Sequence, residues 1–252
     1  MIKVTHLSQS FGPYWALKDV TFTLGKGEFL FLSGPSGAGK TTLLRLLYSG
    51  LPIQRGDVWI AGFALKSLHA KDVPLLRRQV SVVFQDFKVL PQRSVRDNIA
   101  LPLEVRGLAR VHIDRRVRAV AKALSLDGKL NTPCGQLSGG EQQRVAVARS
   151  FVVNPKVLLA DEPTGNLDPE LSLRLMDLFM QFQAYGTTVV FATHSHELLR
   201  RHPSARLIRL EEGTITYASW PGALLYRRAD MHGPDSTPDL NPDVLPNLGD
   251  RL

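Results

Sequence analysis

The sequence has little cysteine and no long hydrophobic run. Its 252 residues include one cysteine, Cys134, which excludes an internal disulfide and fits a reducing compartment. No stretch approaches the roughly 18 apolar residues of a membrane-spanning helix, and the first residues do not have the pattern of a signal peptide. We therefore expect a protein that is made and kept in the cytoplasm.

Positive charge is in excess but is unevenly distributed. The chain has 31 Lys and Arg against 23 Asp and Glu, a net charge of +8. Residues 229–252 contain five of these acids and one arginine, a net charge of −4, which leaves +12 for the remainder. Such a basic surface attracts nucleic acid or an anionic membrane face, and charge alone does not choose between them.

Short β-like runs alternate with helical patterns along most of the chain. The β-like runs are Val20–Leu24, Phe29–Ser33, Val58–Ile60, Val80–Phe84, Val157–Asp161 and Val189–Thr193. The helical patterns are Thr41–Leu47, Ile113–Leu124, Glu141–Val153 and Glu170–Ala184. The last two β-like runs are continuously apolar, as in parallel strands covered on both faces. This interleaving predicts an α/β core with a parallel sheet, and the helix-rich segment from about 90 to 150 predicts an inserted helical subdomain.

The C-terminal segment 229–252 differs in kind from the rest. Pro234, Pro238, Pro242 and Pro246 recur every four residues, and three of them are followed by aspartate. Proline at this spacing blocks both helix and sheet, and the segment has little to bury. The composition predicts a disordered or extended Pro/Asp-rich tail.

A phosphate-binding loop is the first motif that carries chemistry. Gly34-Pro-Ser-Gly-Ala-Gly-Lys-Thr41 follows the β-like run Phe29–Ser33 and opens a helix, which is the context that this pattern requires. The glycines let backbone N–H groups turn toward phosphate oxygens, and the helix adds the positive end of its dipole. We expect Lys40 to reach the β- and γ-phosphates and the Thr41 hydroxyl to bind Mg²⁺.

Asp161 and Glu162 end a buried strand, at the edge where α/β sheets bind ligands. Two adjacent buried carboxylates are costly without a function. We expect Asp161 to face Mg²⁺ through water and Glu162 to act as the general base toward the attacking water. His194 follows a second apolar strand, so it should lie beside this pair and contact the γ-phosphate.

The segment Leu137–Arg144, L-S-G-G-E-Q-Q-R, is the most informative part of the chain. It stands at the start of a helix just upstream of the Asp161-Glu162 strand. A second Ser-Gly-Gly element beside a phosphate loop indicates a nucleotide held from two sides, and therefore a protein that closes and opens.

In this order and spacing, the motifs resemble those of the ATP-binding-cassette (ABC) ATPases. Gln85 and Asn166-Leu167-Asp168 are similar to two further motifs of the family, the Q-loop and the D-loop. The resemblance implies a P-loop NTPase core with a mixed sheet and an inserted helical subdomain, over an ABC ATPase domain of residues 1–228. It also implies ATP and Mg²⁺ as ligands.

The resemblance implies the following site residues. The catalytic residues are Glu162 and His194, and the metal site is formed by Thr41, Gln85 and Asp161. The nucleotide-binding residues are Phe11, Gly34, Pro35, Ser36, Gly37, Ala38, Gly39, Lys40, Thr41, Thr42, Gln85, Ser138, Gly139, Gly140 and Asp168. Phe11 is chosen by spacing as the aromatic that stacks on adenine, with Tyr14 and Trp15 as alternatives.

In this family two subunits pair head to tail on ATP. The resemblance therefore implies a homodimer in which Ser138, Gly139 and Gly140 of one subunit contact the γ-phosphate bound by the other. Asp168 would lie at the seam between the subunits, and Gln85 would touch both Mg²⁺ and a membrane partner. A single cassette has one element of each kind, so a second copy must complete the site.

Several short segments are similar to the FtsE-type subfamily of cell-division ATPases. They are Val73–Gln79, Phe84–Asp86, Val95–Pro102 and Asp161–Asp168, of which Asp86 and Arg96-Asp97-Asn98 are the most discriminating. This resemblance implies an integral FtsX-like membrane partner, a peripheral position at the cytoplasmic face of the inner membrane, and control of cell-wall hydrolysis.

Three other functions agree with parts of the sequence. The first is lipoprotein or macrolide transport, because lipoprotein-release and macrolide-export ATPases share the Pro163–Asp168 stretch. A soluble ABC protein acting on DNA or ribosomes would suit the basic body, but it usually has a coiled-coil insertion or two cassettes, and this chain has one cassette and no heptad run. No nucleic acid partner is therefore expected. The intact Asp161-Glu162 and His194 count against a scaffold in which hydrolysis is incidental.

Overall fold

A computed structural model describes residues 1–165 and 167–221 of the chain. The strands in this part are β1 (Ile2–Phe11), β2 (Tyr14–Leu24), β3 (Phe29–Ser33), β4 (Arg55–Ile60), β5 (Phe63–Ala64), β6 (Val80–Val83), β7 (Val157–Asp161), β8 (Thr188–Ala192), β9 (Arg206–Glu211) and β10 (Thr214–Ala218). The α-helices are α1 (Lys40–Leu47), α2 (Val73–Gln79), α3 (Val95–Glu104), α4 (Arg110–Ala123), α5 (Gly139–Phe151), α6 (Pro169–Ala184) and α7 (His196–Arg201).

The central sheet has six strands in the order β10-β9-β3-β8-β7-β6. Strands β9, β3, β8, β7 and β6 run parallel, and β10 pairs antiparallel with β9 at one edge. All residues of β3, β7 and β8 are buried, which is what their continuously apolar sequences predict. The predicted mixed sheet of an α/β fold is confirmed.

A second sheet is formed by strands from the N-terminal part of the chain. It is antiparallel, with the order β2-β1-β4-β5. Its first strand alternates buried and exposed residues, but register shifts interrupt the pairing between Val4 and Ser10, and His6 has a positive φ of 48°. These interruptions break the two-residue period, so the sequence predicted Val20–Leu24 and Val58–Ile60 of this sheet but not β1.

Hydrophobic packing covers both faces of the central sheet. Phe29 and Phe31 of β3 pack with Phe191 against the helical face, and Leu30 and Leu32 point to the opposite core shared with α1 and the antiparallel sheet. Because consecutive strand residues face opposite sides, one apolar strand serves two cores. What remains open is the edge where the strands end at Ser33, Asp161 and Ala192.

Three helices, α3, α4 and α5, lie between β6 and β7 in the chain and pack on one another. Ile99 of α3, Val117 of α4 and Val147 of α5 belong to one buried cluster. These helices fall within or overlap the segment predicted as a helical subdomain, whose boundaries stay a prediction. The predicted tail 229–252 lies outside the described residues.

In the described part of the chain, none of the helices combines the length and the apolar character needed to cross a membrane.

Candidate nucleotide-binding site

A cavity of about 770 Å³ lies at the carboxyl ends of β3, β7 and β8. This is the edge at which parallel α/β sheets bind ligands, because the loops that follow the strands converge there. Its lining residues are Ala16, Pro35, Ser36, Gly37, Ala38, Gly39, Lys40, Thr41, Thr42, Gln85, Asp161, Glu162, Gly165, His194 and His196. The fold thus brings together residues that are up to 180 positions apart in the sequence.

The phosphate loop needs glycine at two positions for steric reasons. Gly34 has φ 142°, and a Cβ there would lie 2.1 Å from the carbonyl oxygen of Leu210. Gly39 has φ 104° and precedes α1, and its Cβ would lie 2.3 Å from the carbonyl oxygen of Ala16. Both positions combine a left-handed backbone with close packing, so larger residues would displace the loop. The loop leads directly into α1, whose N-terminus faces the cavity and favours an anion.

Lys40 crosses this loop from the first turn of α1. Its Nζ donates to the carbonyl oxygens of Gly34 at 2.7 Å and Pro35 at 3.0 Å, and lies 3.8 Å from Glu162 Oε1. Lys40 is 8% exposed. A nearly buried ammonium group at this place provides the positive charge that a triphosphate requires.

Glu162 is held in the cavity by backbone and side-chain contacts. Its N–H donates to the carbonyl oxygen of Ala192 at 3.1 Å, and its Oε1 lies 2.9 Å from His194 Nδ1. Its φ is +47°, a sparsely populated conformation for a residue other than glycine. Gln143 of α5 donates from Nε2 to the carbonyl oxygens of Pro163 and, at 3.4 Å, Glu162. The carboxylate is therefore positioned by two strands and one helix, with a histidine in contact.

Asp161 has the properties of a ligand to a hard cation. Burial raises the pKa of this carboxyl group, opposed by a hydrogen bond with the Thr41 hydroxyl. Its Oδ1 is buried and has no hydrogen-bond partner among the described residues. With the Thr41 hydroxyl and the Gln85 amide it gives the cavity three oxygen donors, the kind that Mg²⁺ prefers. These residues fit Mg²⁺ bound by few protein ligands plus phosphate oxygens and water.

The Ser138 segment forms the N-terminus of α5. Ser138 Oγ accepts from the N–H of Glu141 at 3.4 Å, and Glu141 Oε2 accepts from the N–H of Ser138 at 2.9 Å. This capping box and an ion pair with Lys129 lower the pKa of Glu141 to about 2, the ion pair being the larger cause. The box fixes the helix end and presents Ser138 and Gly139 at the surface.

Not all predicted nucleotide-binding residues line the cavity of their own chain. Within residues 1–165 and 167–221, Ser138, Gly139, Gly140 and Asp168 are not among its lining residues. Asp168 instead caps α6 by accepting from the N–H of Leu171 at 2.9 Å. This separation is what a site completed by a second subunit requires, so their predicted role in trans stays a prediction.

The adenine-stacking residue also stays a prediction. Phe11 is 48% exposed at the end of β1, opposite Tyr14, and is not a described lining residue of the cavity. Trp15 lies under the guanidinium of Arg55, 5.4 Å from the ring centroid. All three aromatics sit at the β1–β2 turn near Ala16, which does line the cavity.

Sequence reasoning missed Gln143, His196, Ala16 and Gly165. Gln143 is fully buried, yet in the sequence it is one of two adjacent glutamines on an amphipathic helix. Nothing in that pattern indicates that Pro163 packs against it. His196 follows His194 by two residues, and this proximity is a signal that could have found it.

The chain is similar to known proteins over most of its length. Residues 17–165 match the family described as ABC transporter. The chain is 48% identical to the cell division ATP-binding protein FtsE of Streptococcus pneumoniae over 202 residues, which covers 79% of this chain and 86% of that protein. It is 45% identical to FtsE of Escherichia coli over 216 residues, 85% of this chain and 97% of that protein.

Solved structures show the same likeness. The dimeric post-hydrolysis structure of the ATP-binding cassette MJ0796, bound to ADP and phosphate, has a TM-score of 0.81 at 31% identity and covers 87% of this chain and 98% of its own. The family match spans more than half of the chain, and the FtsE relatives are aligned over most of their length. The chain therefore belongs to the ABC transporter family.

Proposed function

We propose that the protein is a Mg²⁺-dependent ATPase of the FtsE type, the peripheral subunit of a membrane complex in cell division. The catalytic part of this proposal rests on the position of Glu162, a nearly buried carboxylate between His194 and Lys40 in the phosphate-loop cavity. The cell-division part rests on the 44–48% identity to FtsE proteins.

Hydrolysis follows from the residues of the cavity. Lys40 and the backbone N–H groups of the loop bind the β- and γ-phosphates. Glu162 accepts a proton from water as that water attacks the γ-phosphorus and the bond to the bridging oxygen of ADP breaks. His194 orients Glu162 and donates toward the γ-phosphate. Bound Mg²⁺, held by Thr41, Gln85 and Asp161, would neutralise charge on the phosphates.

A second copy completes the site in this proposal. Ser138, Gly139 and Gly140 of the second subunit contact the γ-phosphate, with the N-terminus of α5 directed at the anion. The dimeric state of the MJ0796 cassette supports such pairing. Removal of the γ-phosphate removes the group that bridges the halves, so the dimer opens.

The surface that would transmit this motion is a groove beside the nucleotide cavity. We call the groove of about 540 Å³ lined by α2, β6, α3 and α5 the α2–α3 groove. An intervening cavity of about 550 Å³ shares Thr41, Gln85 and Asp161 with the nucleotide cavity. It shares Tyr48, Val82 and Phe84 with the α2–α3 groove. The groove is thus linked to the catalytic cavity by shared residues, and we propose that it receives a cytoplasmic helix of an FtsX-like membrane protein.

The segment after Gln85 supports this link. Phe87 and Lys88 have positive φ angles of 57° and 49°, and their carbonyl oxygens accept from Arg149 of α5 at 2.9 and 2.7 Å. The same helix holds the Glu162 turn through Gln143 and carries Ser138 at its N-terminus. One helix therefore contacts the catalytic turn, the Gln85 segment and the proposed dimer seam.

Replacement of Glu162 by Gln tests the catalytic proposal. The amide keeps the size of the side chain but cannot take the proton, so the variant should bind ATP, lose at least about 100-fold in turnover and accumulate as a dimer. Glu170→Gln, which changes an exposed carboxylate of α6, is the matched control. Near-parental hydrolysis by Glu162→Gln would contradict the assignment of the base.

Purification of the protein from membranes with its integral partner tests the cellular role. Recovery of a four-span FtsX-like protein is the expected result. Recovery of a lipoprotein-release or macrolide-export permease would show that the protein serves a transporter instead.

A further inference from the structure

We infer that the α2–α3 groove binds the chain's own acidic C-terminal tail, residues 229–252. The inference depends on the chemistry of the groove and on the sequence of the tail. Only its consequence, that the tail competes with a membrane partner for the groove, rests on the proposed function.

The floor of the groove is apolar and open to solvent. It is lined by Val82 of β6, by Phe84 just after that strand, and by Leu101, Pro102 and Val105 at the end of α3. Val105 is 68% exposed, an unusual fraction for a valine at the rim of an apolar cavity. β6 is also the edge strand of the central sheet. Apolar surface that is concave and exposed favours an occupant with apolar side chains.

Four arginines surround this floor: Arg77, Arg78, Arg106 and Arg149. In the described parts of the chain none of them forms an ion pair with a carboxylate. Arg77, Arg106 and Arg149 use their guanidinium groups to hold main-chain carbonyl oxygens instead. The rim therefore carries four positive charges without a countercharge.

The charges also disfavour one another. Burial lowers the pKa of Arg106, and the positive charges of Arg78 and Arg116 lower it further. An occupant with carboxylates would reverse that repulsion and use the guanidinium donors that remain free. Nucleic acid would supply negative charge but leaves the apolar floor unexplained.

The tail has the complementary chemistry. Its five aspartates exceed its single arginine, and apolar residues stand between them at Leu240, Val244, Leu245 and Leu248. Proline at every fourth position is incompatible with a regular helix or a central strand, and in the complex that we infer the aspartates face the rim and the leucines face the floor.

The connection is long enough. Pro221 is the last described residue, and the 14 residues from there to Asp235 reach up to about 46 Å when extended. β10, which precedes Pro221, and β6, which lines the groove, are the two edge strands of the six-stranded sheet and lie about 24 Å apart at about 4.8 Å per strand spacing. Tethering also gives the tail a millimolar effective concentration at its own groove, so weak contacts suffice.

Disulfide trapping in the full-length chain tests the inference. Cys134→Ser removes the native thiol, and Leu245→Cys is combined either with Val105→Cys in the groove or with Tyr185→Cys, an 89% exposed control position. We expect intramolecular cross-linking at position 105 to exceed that at 185 by about tenfold. Equal rates at the two positions would overturn the inference, and so would cross-linking that gives only covalent dimers.

Charge removal in the tail and in the groove gives the second measurement. Asp235, Asp239 and Asp243 are replaced together by Asn, and cross-linking at position 105 should fall about tenfold, the scale of three weak ion pairs. Arg78→Glu should reduce it similarly, whereas Arg115→Glu, an equal charge change at an exposed position of α4, should not. Unchanged cross-linking in the triple variant would refute a charge-dependent dock.

The consequence for the proposed function is measured separately. If the groove receives the membrane partner, the triple Asn variant should bind that partner about tenfold more tightly than the parent chain. Position-105 cross-linking without any partner binding by either protein would contradict the proposed function while leaving the tail dock intact.

Discussion

Replacement of Gln143 by Met tests whether this side chain positions the catalytic turn at Glu162 rather than stabilising the fold as a whole. Gln143 is fully buried in α5, and its Nε2 donates to the carbonyl oxygens of Pro163 and Glu162. Methionine has nearly the same volume and keeps the packing, but it has no donor. The turn that holds Glu162 at φ +47° then loses its side-chain restraint.

The effect on stability should be small because two terms oppose each other. Loss of the donor leaves the Pro163 carbonyl unsatisfied, at a cost of about 1–3 kcal/mol. Gln143 Oε1 is itself buried without a hydrogen-bond partner in the described structure, and its removal recovers a desolvation cost of similar size. We expect a change in the free energy of unfolding of about 1 kcal/mol or less.

The effect on catalysis should be large. Displacement of the general base by a fraction of an ångström can lower turnover by about 10–100-fold. Since Gln143 does not line the nucleotide cavity described here, KM for ATP should change little. Steady-state ATPase kinetics and urea unfolding measure the two effects, with Gln181→Met at an exposed position of α6 as the control. A parental kcat in Gln143→Met would refute the positioning role.

Three further changes probe the metal ligand, the helix cap and the Gln85 segment. Because burial raises the pKa of Asp161, its ionised form destabilises the fold at neutral pH, so Asp161→Asn should raise the midpoint temperature of unfolding. The same variant loses a proposed metal ligand, so the Mg²⁺ concentration for half-maximal ATPase activity should increase about tenfold. Glu141 has a folded pKa of about 2 against a usual 4.5, so its stabilising contribution is complete above about pH 4.5 and is lost as the pH falls toward 2. The difference in unfolding free energy between the parent and Glu141→Gln should shrink across that interval in urea titrations, and a constant difference would contradict the cap. Arg149→Met should release the carbonyl oxygens after Gln85. It should weaken any stimulation of the ATPase by the membrane partner more than it lowers basal ATPase activity. Assays with and without vesicles that contain the partner would measure the two activities separately.

The strands with continuous apolar runs were predictable from sequence, and the strands with irregular pairing or charged residues were not. Phe29–Ser33 and Val157–Asp161 are strands at their predicted bounds because their continuous apolar runs are buried on both faces. β1 was missed since irregular pairing with β2, with positive φ at His6, breaks its alternation. β9 was missed because arginines stand at both ends of its pairing with β3 and interrupt the apolar pattern of this half-buried strand.

In the candidate site, too, some features were predictable from the sequence and others were not. That Lys40, Asp161 and Glu162 meet in one cavity was predictable, because the phosphate-loop pattern and the strand ends fix their location. Their roles stay predictions. Gln143 and the α2–α3 groove were not predictable, because both arise where separate segments come together: α5 against the turn at Pro163, and α2, β6, α3 and α5 around the groove. Local patterns carry no information about such contacts.

The central claim is that ATP is hydrolysed at a site built from Lys40 of one subunit and Ser138 of another. Mixing two inactive proteins, Lys40→Ala and Ser138→Arg, tests it most directly, because each mixed dimer then contains one intact site. ATPase activity of the equimolar mixture should recover to about a quarter of the parental value, from half of the dimers with one of two sites. Parental activity of Ser138→Arg by itself would contradict the account.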